Sequence, residues 1–437
     1  MSAPLRGGRR QRPTRVLLLN TADRGGGAER ISCDLLDGLS RRGLEARLVV
    51  GDKQGDDPRV LPVWEHPHVP LLNLWHRTPL HRVLDRAARG RDRRRGLEDF
   101  RFPHTRHLET ILGSPPDVVL CRNLHGGWFD LRALARLSQR VPVILLLADC
   151  WPFTGHCVYP LGCERWEHGC PTCPHLDRPA AIEVDGAARN WKRKRDVYRK
   201  SRLHVASPSE WLLARARRSM LAPAIRSERV IPHGTDLSVF RPGDRARARR
   251  ALGIADETFV MTFVANGGDA NPFKDVATLR HALERLPEGP RPAELRIVGG
   301  GGPDERWGAV RVRRLPYRTD RAALAEDHRA SDVLVHPVVE EAFGNVVVEA
   351  LACGTPVVAS AAGGVAEIVR HGEHGLLVPP GDAPALAAAL AELRDRPLLA
   401  RQLGKRGAQH AREHQDQERV IERYREWIER LARGEHG

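Results

Sequence analysis

Residues 333–360 read VLVHPVVEEAFGNVVVEALACGTPVVAS and alternate between apolar runs and one helical segment. The first run ends at His336, a helix is predicted to begin at Gly344 or Asn345, and a second run covers Pro356–Ser360. Strands that are apolar on both faces and separated by a helix are typical of a parallel sheet covered on both sides. This stretch therefore predicts an α/β fold.

The same alternation covers most of the 437 residues, which is more than one hydrophobic core usually serves. Proline and glycine around Phe240 predict a boundary between an N-terminal domain, 15–240, and a C-terminal domain, 241–410. Val230–Asp236 is predicted to be a strand ending in a turn, and the Pro-, His- and Arg-rich stretch up to about residue 100 to be irregular. Further strands are predicted at Val16–Asn20, Ala46–Val50, Asp117–Cys121, Val141–Leu147, Phe259–Ala265, Glu294–Gly299 and Gly375–Val378.

Arginine dominates a formal net charge of +15 and is clustered at Arg6–Arg15, Arg86–Arg95 and Arg189–Arg202. Such clusters suit nucleic acid, an anionic membrane leaflet or phosphorylated substrates, and they also occur as solvated faces. No apolar run approaches the roughly 20 residues that span a bilayer. Residues 1–14 lack the apolar core of a secretory signal, so we expect a disordered basic arm and a cytoplasmic protein.

Two glutamates, Glu341 and Glu349, flank the predicted helix start in the opening stretch. The free N–H groups and positive dipole end of that helix can hold a diphosphate, so the two acids could grip opposite ends of a nucleotide-sugar. The alternative is a pair of solvated acids. Glu349, however, lies within the apolar run Val346–Ala352, where an unpaired carboxylate would be costly. The pattern favours a binding site.

A glycine loop, Asp23–Glu29, follows the first predicted strand and precedes a helix. Glycines such as Gly26 and Gly27 let backbone approach a ligand closely, and a helix start favours anions. Tight strand-to-helix turns also need glycine, and the spacing is not the G-x-G-x-x-G of dinucleotide-binding proteins. The loop favours ligand binding over turn geometry alone.

Together these features resemble the family four glycosyltransferases, a group of retaining enzymes with the GT-B fold. The Glu341–Glu349 segment resembles the family's E-x7-E motif, and further landmarks are the glycine loop, Ile231–Asp236 and Gly363–Asp382. Trp151–Gly155 and the cysteines after it resemble the branch that builds colanic-acid-type and capsular exopolysaccharides. The resemblance implies two Rossmann-like doubly wound domains facing across a cleft, and a helix in 411–437 that crosses back to the N-terminal domain.

The resemblance also implies an activity and a set of site residues. A sugar would move from a UDP- or GDP-linked donor, with retention, to a glycan acceptor, with no catalytic cofactor. The basic patches at 86–95 and 189–202, rather than the resemblance, suggest a polyprenyl-phosphate-linked acceptor and an anionic membrane surface as a further partner. Glu341 would contact the donor sugar, Glu349 the ribose and Lys274 the diphosphate, whose departing charge a fixed cation stabilises. The donor-binding residues implied are Gly26, Gly27, Asn266, Lys274, Glu341, Phe343, Gly344, Asn345, Val346 and Glu349.

Two positions depart from the family pattern. Asn266 lies where an arginine is usual, so the diphosphate would need a different cation or would be bound by fewer cations. Ala148 replaces the histidine that lines the acceptor side, although Asp149 is retained, and His125 is the nearest substitute. The predicted catalytic residues are therefore Glu341, Lys274, His125 and Asp149. A nucleotide-sugar epimerase or hydrolase, and a weakened homologue acting as an interaction partner, remain alternatives; a nucleic-acid binder would leave the glutamates unexplained.

Five cysteines crowd the predicted loop 150–176. Four of them, Cys157, Cys163, Cys170 and Cys173, have a spacing that fits a structural zinc site, with Cys150 and His156 as further candidates. Disulfides and unliganded thiols are the alternatives, and a reducing cytoplasm disfavours the disulfides. The sequence contains no D-x-D motif, so we expect no metal-bridged diphosphate.

Overall fold

The computed structural model describes residues 12–435, in which fourteen strands form two seven-stranded sheets. Every neighbouring pair is parallel except β10 with β11. The N-terminal sheet has the order β3-β2-β1-β4-β5-β6-β7 and the C-terminal sheet the order β10-β11-β9-β8-β12-β13-β14. The strands are β1 Arg15–Ala22, β2 Glu45–Asp52, β3 Val60–Pro62, β4 Val118–Cys121, β5 Val143–Leu146, β6 Leu203–Ser207, β7 Ile225–Val230, β8 Phe259–Val264, β9 Ala293–Val298, β10 Glu305–Trp307, β11 Val310–Leu315, β12 Val333–His336, β13 Val357–Ser360 and β14 Gly375–Val378.

Helices connect the strands and cover both sheets. Central strands such as β8 are buried at every residue, as expected for a sheet with both faces packed. None of these helices, over the residues described, combines the length and apolar character that crossing a membrane would require. The helices are α1 Gly27–Arg41, α2 Pro70–Arg77, α3 Pro79–Arg93, α4 Arg132–Leu137, α5 Ala187–Tyr198, α6 Glu210–Arg217, α7 Arg245–Ala251, α8 Val276–Glu284, α9 Arg321–Ala330, α10 Asn345–Ala352, α11 Val365–Ile368, α12 Ala383–Asp395, α13 Pro397–His414 and α14 Gln417–Ala432.

The order of the strands fixes where a ligand can bind. In the first sheet β1 lies between β2 and β4, and in the second β8 lies between β9 and β12, so each sheet reverses its winding at that strand. A crevice opens outside the carboxyl ends of parallel strands at such a switch point. The loops after β1, β8 and β12 therefore meet between the domains.

The chain crosses twice between the domains at one place. The linker after β7 runs beside the connection from α13 to α14: the Thr235 N–H donates to Gln415 O at 2.7 Å, and the Gln417 N–H donates to Thr235 O at 3.1 Å. Helix α14 then packs on the N-terminal domain, where Trp427 and Ile428 are buried in one cluster with strands β1 and β2.

Local structure differs from the sequence-based predictions at two places, and a third prediction lies mostly outside the described residues. The predicted strand Val230–Asp236 is wrong in position: β7 ends at Val230, and Pro232, which has no N–H to donate, lies in the linker. The stretch predicted to be irregular contains β3, whose Val60 is buried, and the helices α2 and α3, whose large apolar side chains are mostly exposed to water. Most of the predicted basic arm, residues 1–11, lies outside the described residues, and Arg12 forms an ion pair with Asp117 at 2.6 Å.

Candidate functional site

A cleft of about 1010 Å³, its open mouth included, lies between the carboxyl edges of the two sheets. It is lined from the N-terminal domain by the glycine loop and α1, and from the C-terminal domain by the loops after β8 and β12 and by α10. Most of the predicted donor-binding residues line it, namely Gly26, Gly27, Asn266, Lys274, Glu341, Gly344, Asn345, Val346 and Glu349.

Lys274 and Glu341 form an ion pair inside the cleft, with 2.6 Å between Nζ and Oε2. Burial works against ionisation of Glu341, but Lys274 and His336 offset it and hold the pKa of this carboxyl well below its usual range. His336 Nε2 lies 3.7 Å from the same oxygen, and burial and Lys274 lower the pKa of this histidine to about 4. At neutral pH the Glu341 carboxyl is thus ionised and the His336 imidazole neutral.

The turn that carries Glu341 depends on Gly363. This glycine has φ +54°, and a Cβ there would lie 2.1 Å from Glu341 O. Its neighbour Gly364 donates its N–H to the same oxygen at 2.9 Å. The landmark Gly363–Asp382 therefore begins with residues that let the backbone approach the Glu341 turn closely.

Helix α10 begins at Asn345 and points its first turn into the cleft, with Gly344 as N-cap and no side-chain cap there. Arg122, always a donor, supplies a hydrogen to His233 Nε2 at 3.4 Å, so Nδ1 carries the ring hydrogen and donates to Asn345 Oδ1 at 2.9 Å. Burial and Arg122 lower the pKa of His233 to about 3, which keeps it neutral. The linker histidine therefore orients Asn345, whose Nδ2 would lie 2.9 Å from a Cβ added at Gly27.

Glu349 lies one turn into α10 and is 7% exposed. Burial raises the pKa of its carboxyl to about 7, and the guanidinium of Arg30, 3.9 Å away, offsets this only in part. Within the described residues its side chain accepts no recorded hydrogen bond. It is the poorly compensated acid that its apolar sequence context predicts.

The cleft contains cations that the sequence analysis did not identify. Arg30, from the first turns of α1, and Arg321, at the start of α9, both line it. Arg321 also contacts Asp34 at 3.3 Å, and the Tyr317 hydroxyl donates to Gly25 O at 3.2 Å, so this wall joins the two domains. In a chain with so many arginines, only proximity in the fold separates these two from the rest.

Three predicted site residues lie elsewhere. Phe343 is buried in the C-terminal core and packs edge-on against His233, 4.9 Å between ring centroids, because an aromatic ring gains most from burial. His125 and Asp149 line a separate small cavity together with Ala148 and Trp151. There His125 Nε2 lies 3.2 Å from Asp149 Oδ2, and the net effect of burial and this contact is a raised histidine pKa. His125 thus shares a cavity with Ala148, as expected of a substitute, and its catalytic role stays a prediction.

The cysteine-rich loop reaches across to the turn that precedes α10. Glu340 accepts hydrogen bonds from the backbone N–H groups of Leu161, at 2.8 Å, and Gly162, at 3.1 Å. Arg215 adds an ion pair with Glu340 at 3.0 Å. The Tyr159 hydroxyl accepts from Ala342 N at 3.1 Å. The loop therefore holds the backbone on both sides of Glu341.

The four cysteines of the predicted zinc site line one small cavity, together with His156. His156 Nε2 is 3.2 Å from Cys173 Sγ, but no three His, Cys, Asp or Glu side chains between residues 12 and 435 are arranged to hold an ion. Burial raises the pKa of Cys157 to about 11 and that of Cys170 to about 12, so these two are neutral thiols. The arrangement shown is a cluster of thiols, all eight cysteines being free.

Comparisons with known proteins bear on the domain that carries the E-x7-E segment. Residues 258–396 match the family model described as "Glycosyl transferases group 1". This segment carries the sequence signature of the group 1 glycosyltransferases. Membership of the colanic-acid branch stays a prediction, because the curated relatives are named for D-inositol 3-phosphate instead.

Curated relatives match part of the chain. A D-inositol 3-phosphate glycosyltransferase of Kribbella flavida is 38% identical over 200 residues, which is 42% of this chain and 46% of the relative. One from Mycobacterium marinum is 41% identical over 176 residues, 37% of this chain and 36% of the relative. The chain spans less than half the length of these two relatives.

Solved structures match almost the whole chain. Sucrose-phosphate synthase (tll1590) from Thermosynechococcus elongatus has a TM-score of 0.69 at 21% identity and covers 96% of this chain and 100% of its own. Anabaena Alr3699/HepE in complex with UDP-glucose has a TM-score of 0.61 at 19% identity, with 95% and 99% covered. At these identities the likeness concerns the fold. The predicted fold class, GT-B with two Rossmann-like domains, is confirmed.

Proposed function

We propose that this protein is a glycosyltransferase that binds a UDP- or GDP-linked sugar in the cleft and transfers the sugar, a hexose, with retention of configuration. The observation that carries the proposal is that Lys274, Glu341 and Glu349 line one cleft, around the uncapped first turn of α10. The match of residues 258–396 to the group 1 glycosyltransferases supports the same reaction class.

The cleft offers a diphosphate several positive groups. Lys274 is held by Glu341 at 2.6 Å, and a bound diphosphate would give it a second anionic partner. The first turn of α10, with its free N–H groups, also lines the cleft. Arg30 and Arg321 supply positive charge that the neutral Asn266 cannot supply. These fixed charges stabilise the negative charge that develops on the departing nucleoside diphosphate.

The two glutamates differ in charge, and this suits them to different ends of the donor. The pKa of Glu341 is lowered, so at neutral pH its carboxylate can accept hydrogen bonds from sugar hydroxyls beside Lys274. Glu349, with a pKa of about 7, is poised to ionise when ribose hydroxyls donate to it. With retention, the leaving phosphate itself takes the proton of the acceptor hydroxyl, so the proposal names no protein base.

The acceptor that we propose is a glycan or a polyprenyl-phosphate-linked sugar, in polysaccharide biosynthesis at the cytoplasmic face of a membrane. A second candidate follows from the curated relatives, which are named for D-inositol 3-phosphate. Transfer assays with radiolabelled donor would separate the two. Inositol phosphate as the better acceptor would exclude the polysaccharide proposal.

The donor is tested by a thermal-shift screen of UDP- and GDP-sugars against the wild type, Glu349→Ala and Lys274→Ala. A ligand at 100 times its dissociation constant stabilises the folded state by about 2.7 kcal/mol. We expect one nucleotide series to stabilise the wild type and both variants to lose the effect. The matched control is Glu373→Ala, at a side chain 56% exposed, which should keep it. No stabilisation by any nucleotide-sugar would refute the proposal.

A structural zinc ion also stays a prediction. The four cysteines share a cavity with His156, which supports it, but their arrangement lacks the geometry of a site. Metal analysis of protein purified without chelator tests it: about one zinc per chain, lost from a Cys157→Ser and Cys170→Ser double variant, would support the site.

A further inference from the structure

Helices α2 and α3 present a run of apolar side chains to water. Of the ten large apolar side chains that are exposed in the described chain, six lie between residues 71 and 84, with exposures from 41% to 81%. We call this the α2–α3 surface. Its members are Leu71, Leu74, Trp75, Leu80, Val83 and Leu84.

The spacing of these residues is that of two helical stripes. Leu71, Leu74 and Trp75 follow the i, i+3, i+4 pattern on α2, and Leu80, Val83 and Leu84 follow it on α3. Only Thr78 separates the helices, and the Trp75 ring packs edge-on against His81 at 5.8 Å. The two stripes therefore belong to neighbouring parts of one surface.

Helix α3 attaches to the protein by its polar side. Asp92, 14% exposed, pairs with Arg101 of the following loop at 2.6 Å. Arg89 of α3 pairs with Asp99 of the same loop at 3.4 Å and, within the helix, with Asp85 at 2.7 Å, a side chain 21% exposed. An ordinary surface helix buries its apolar stripe and exposes its acids. Helix α3 does the reverse.

Helix α2 is attached in the same manner. Asn73 donates to His66 O at 2.7 Å, and His76 stacks on Trp64 with 4.9 Å between ring centroids. No residue of α2 is buried. Six large apolar side chains are exposed on two adjoining helices, and a contiguous apolar surface of this kind indicates an interaction site.

The arginines of α3 identify the occupant of that surface. Arg91 lies seven positions after Leu84, and Arg94, just past the helix, lies eleven after Val83, so both extend the apolar stripe in helical phase. No ion pair with an acid is recorded for either one within residues 12–435. Apolar residues that adjoin unpaired arginines are the pattern of helices that lie in the headgroup region of anionic bilayers. A second copy would instead bring like charges together.

We propose that the α2–α3 surface docks on an anionic lipid bilayer, with both helices in the plane of the headgroups. The apolar stripes enter the boundary of the acyl chains, while the acids of α3 stay against the protein. The surface belongs to the N-terminal domain and is separate from the cleft, so the proposal does not depend on the proposed function.

Sedimentation with phosphatidylcholine vesicles, with and without about one third phosphatidylglycerol, tests the proposal on the full chain. We expect binding to the anionic vesicles alone. Changing Leu80, Val83 and Leu84 to Gln should lower the partition coefficient by at least about a hundredfold. Changing Arg91 and Arg94 to Gln should lower it about 25-fold and flatten its salt dependence. The control Leu398→Gln, a 68% exposed leucine on α13, should bind as the wild type does.

Depth is measured by quenching with lipids brominated in the acyl chain. Brominated lipid should quench more of the tryptophan emission of the wild type than of the Trp75→Phe variant, because only the wild type places Trp75 in the bilayer. This comparison does not need the triple variant, so it tests the proposal even if that variant fails to fold. Unchanged binding of a folded triple variant, equal binding to both vesicles, or no Trp75 quenching would overturn the proposal. So would a lipid-free dimer that the triple variant dissociates, because the occupant would then be a second copy.

Discussion

Replacing Glu349 by Gln should make the ligand-free protein more stable at alkaline pH while it abolishes binding of the donor. The carboxyl is 7% exposed; the Arg30 guanidinium lies 3.9 Å away, and Arg321 offsets the effect of burial to a smaller extent. A carboxylate buried with so little compensation costs the folded state free energy, and the neutral amide of Gln avoids that cost.

The magnitude follows from the pKa. The interval between the ordinary value of 4.5 and about 7 corresponds to about 3 kcal/mol at roughly 1.4 kcal/mol per pH unit. In that interval the folded protein binds more protons than the unfolded chain, so the free energy of unfolding falls as the pH rises. Above a pH of about 7 the wild type has lost this part of its free energy of unfolding, whereas Glu349→Gln, which cannot ionise there, should keep it.

Urea denaturation at about pH 5 and about pH 8 measures the effect. We expect Glu349→Gln to exceed the wild type by up to about 3 kcal/mol at the higher pH and by little at the lower pH. Glu341→Gln is the matched control from the same cleft: its carboxyl pKa is lowered, so that variant should lose stability at neutral pH. The same samples, titrated with the nucleotide found in the screen, report donor binding.

An equal difference between Glu349→Gln and the wild type at both pH values would refute the reasoning. So would a variant less stable than the wild type at about pH 8, since burial would then not be what holds the pKa up. A variant that gains stability and still binds the nucleotide would leave the electrostatics intact and remove Glu349 from the binding site.

Three further outcomes are expected. Lys274→Ala should lower kcat for transfer by about 10²- to 10³-fold, because it removes a fixed cation that stabilises the leaving group. Lys405→Ala, outside the cleft, is the control, and equal kcat values for the two variants would contradict the role of Lys274. Glu340→Gln should weaken the hold of the cysteine-rich loop by about 1–3 kcal/mol, seen as faster proteolysis between residues 157 and 173, whereas Glu373→Gln should not change the digestion. Trp427→Ala should cost about 3–5 kcal/mol in urea denaturation, and a loss below about 1 kcal/mol would mean that α14 adds little to the N-terminal core.

The sequence predicted the fold well where apolar runs are buried on both faces. Strands β1, β8, β12 and β13 satisfy that condition, and all four were predicted close to their bounds. Helices α2 and α3 were missed for the opposite reason. Their apolar residues face water, and a pattern sought for a core does not reveal a helix that docks by its polar side.

Some residues of the candidate site could likewise be identified from the sequence, and others could not. Glu349 could be identified because an acid among valines and alanines is anomalous in the sequence itself. Arg30 and Arg321 could not, because the fold alone brings residues 291 positions apart to one cleft. His233 illustrates the intermediate case: its motif was noticed, but its hydrogen bond to Asn345 depends on the position of the linker between the domains.

The two chain crossings beside Thr235 have a consequence for the order of folding. The core of the N-terminal domain includes Val420, Tyr424 and Leu431, which follow the entire second domain in the chain. Domains usually fold as they leave the ribosome, the earlier one first. Here the apolar side chains that α14 covers have no partner until the later domain has been synthesised, so the earlier domain completes its core only when α14 packs on it.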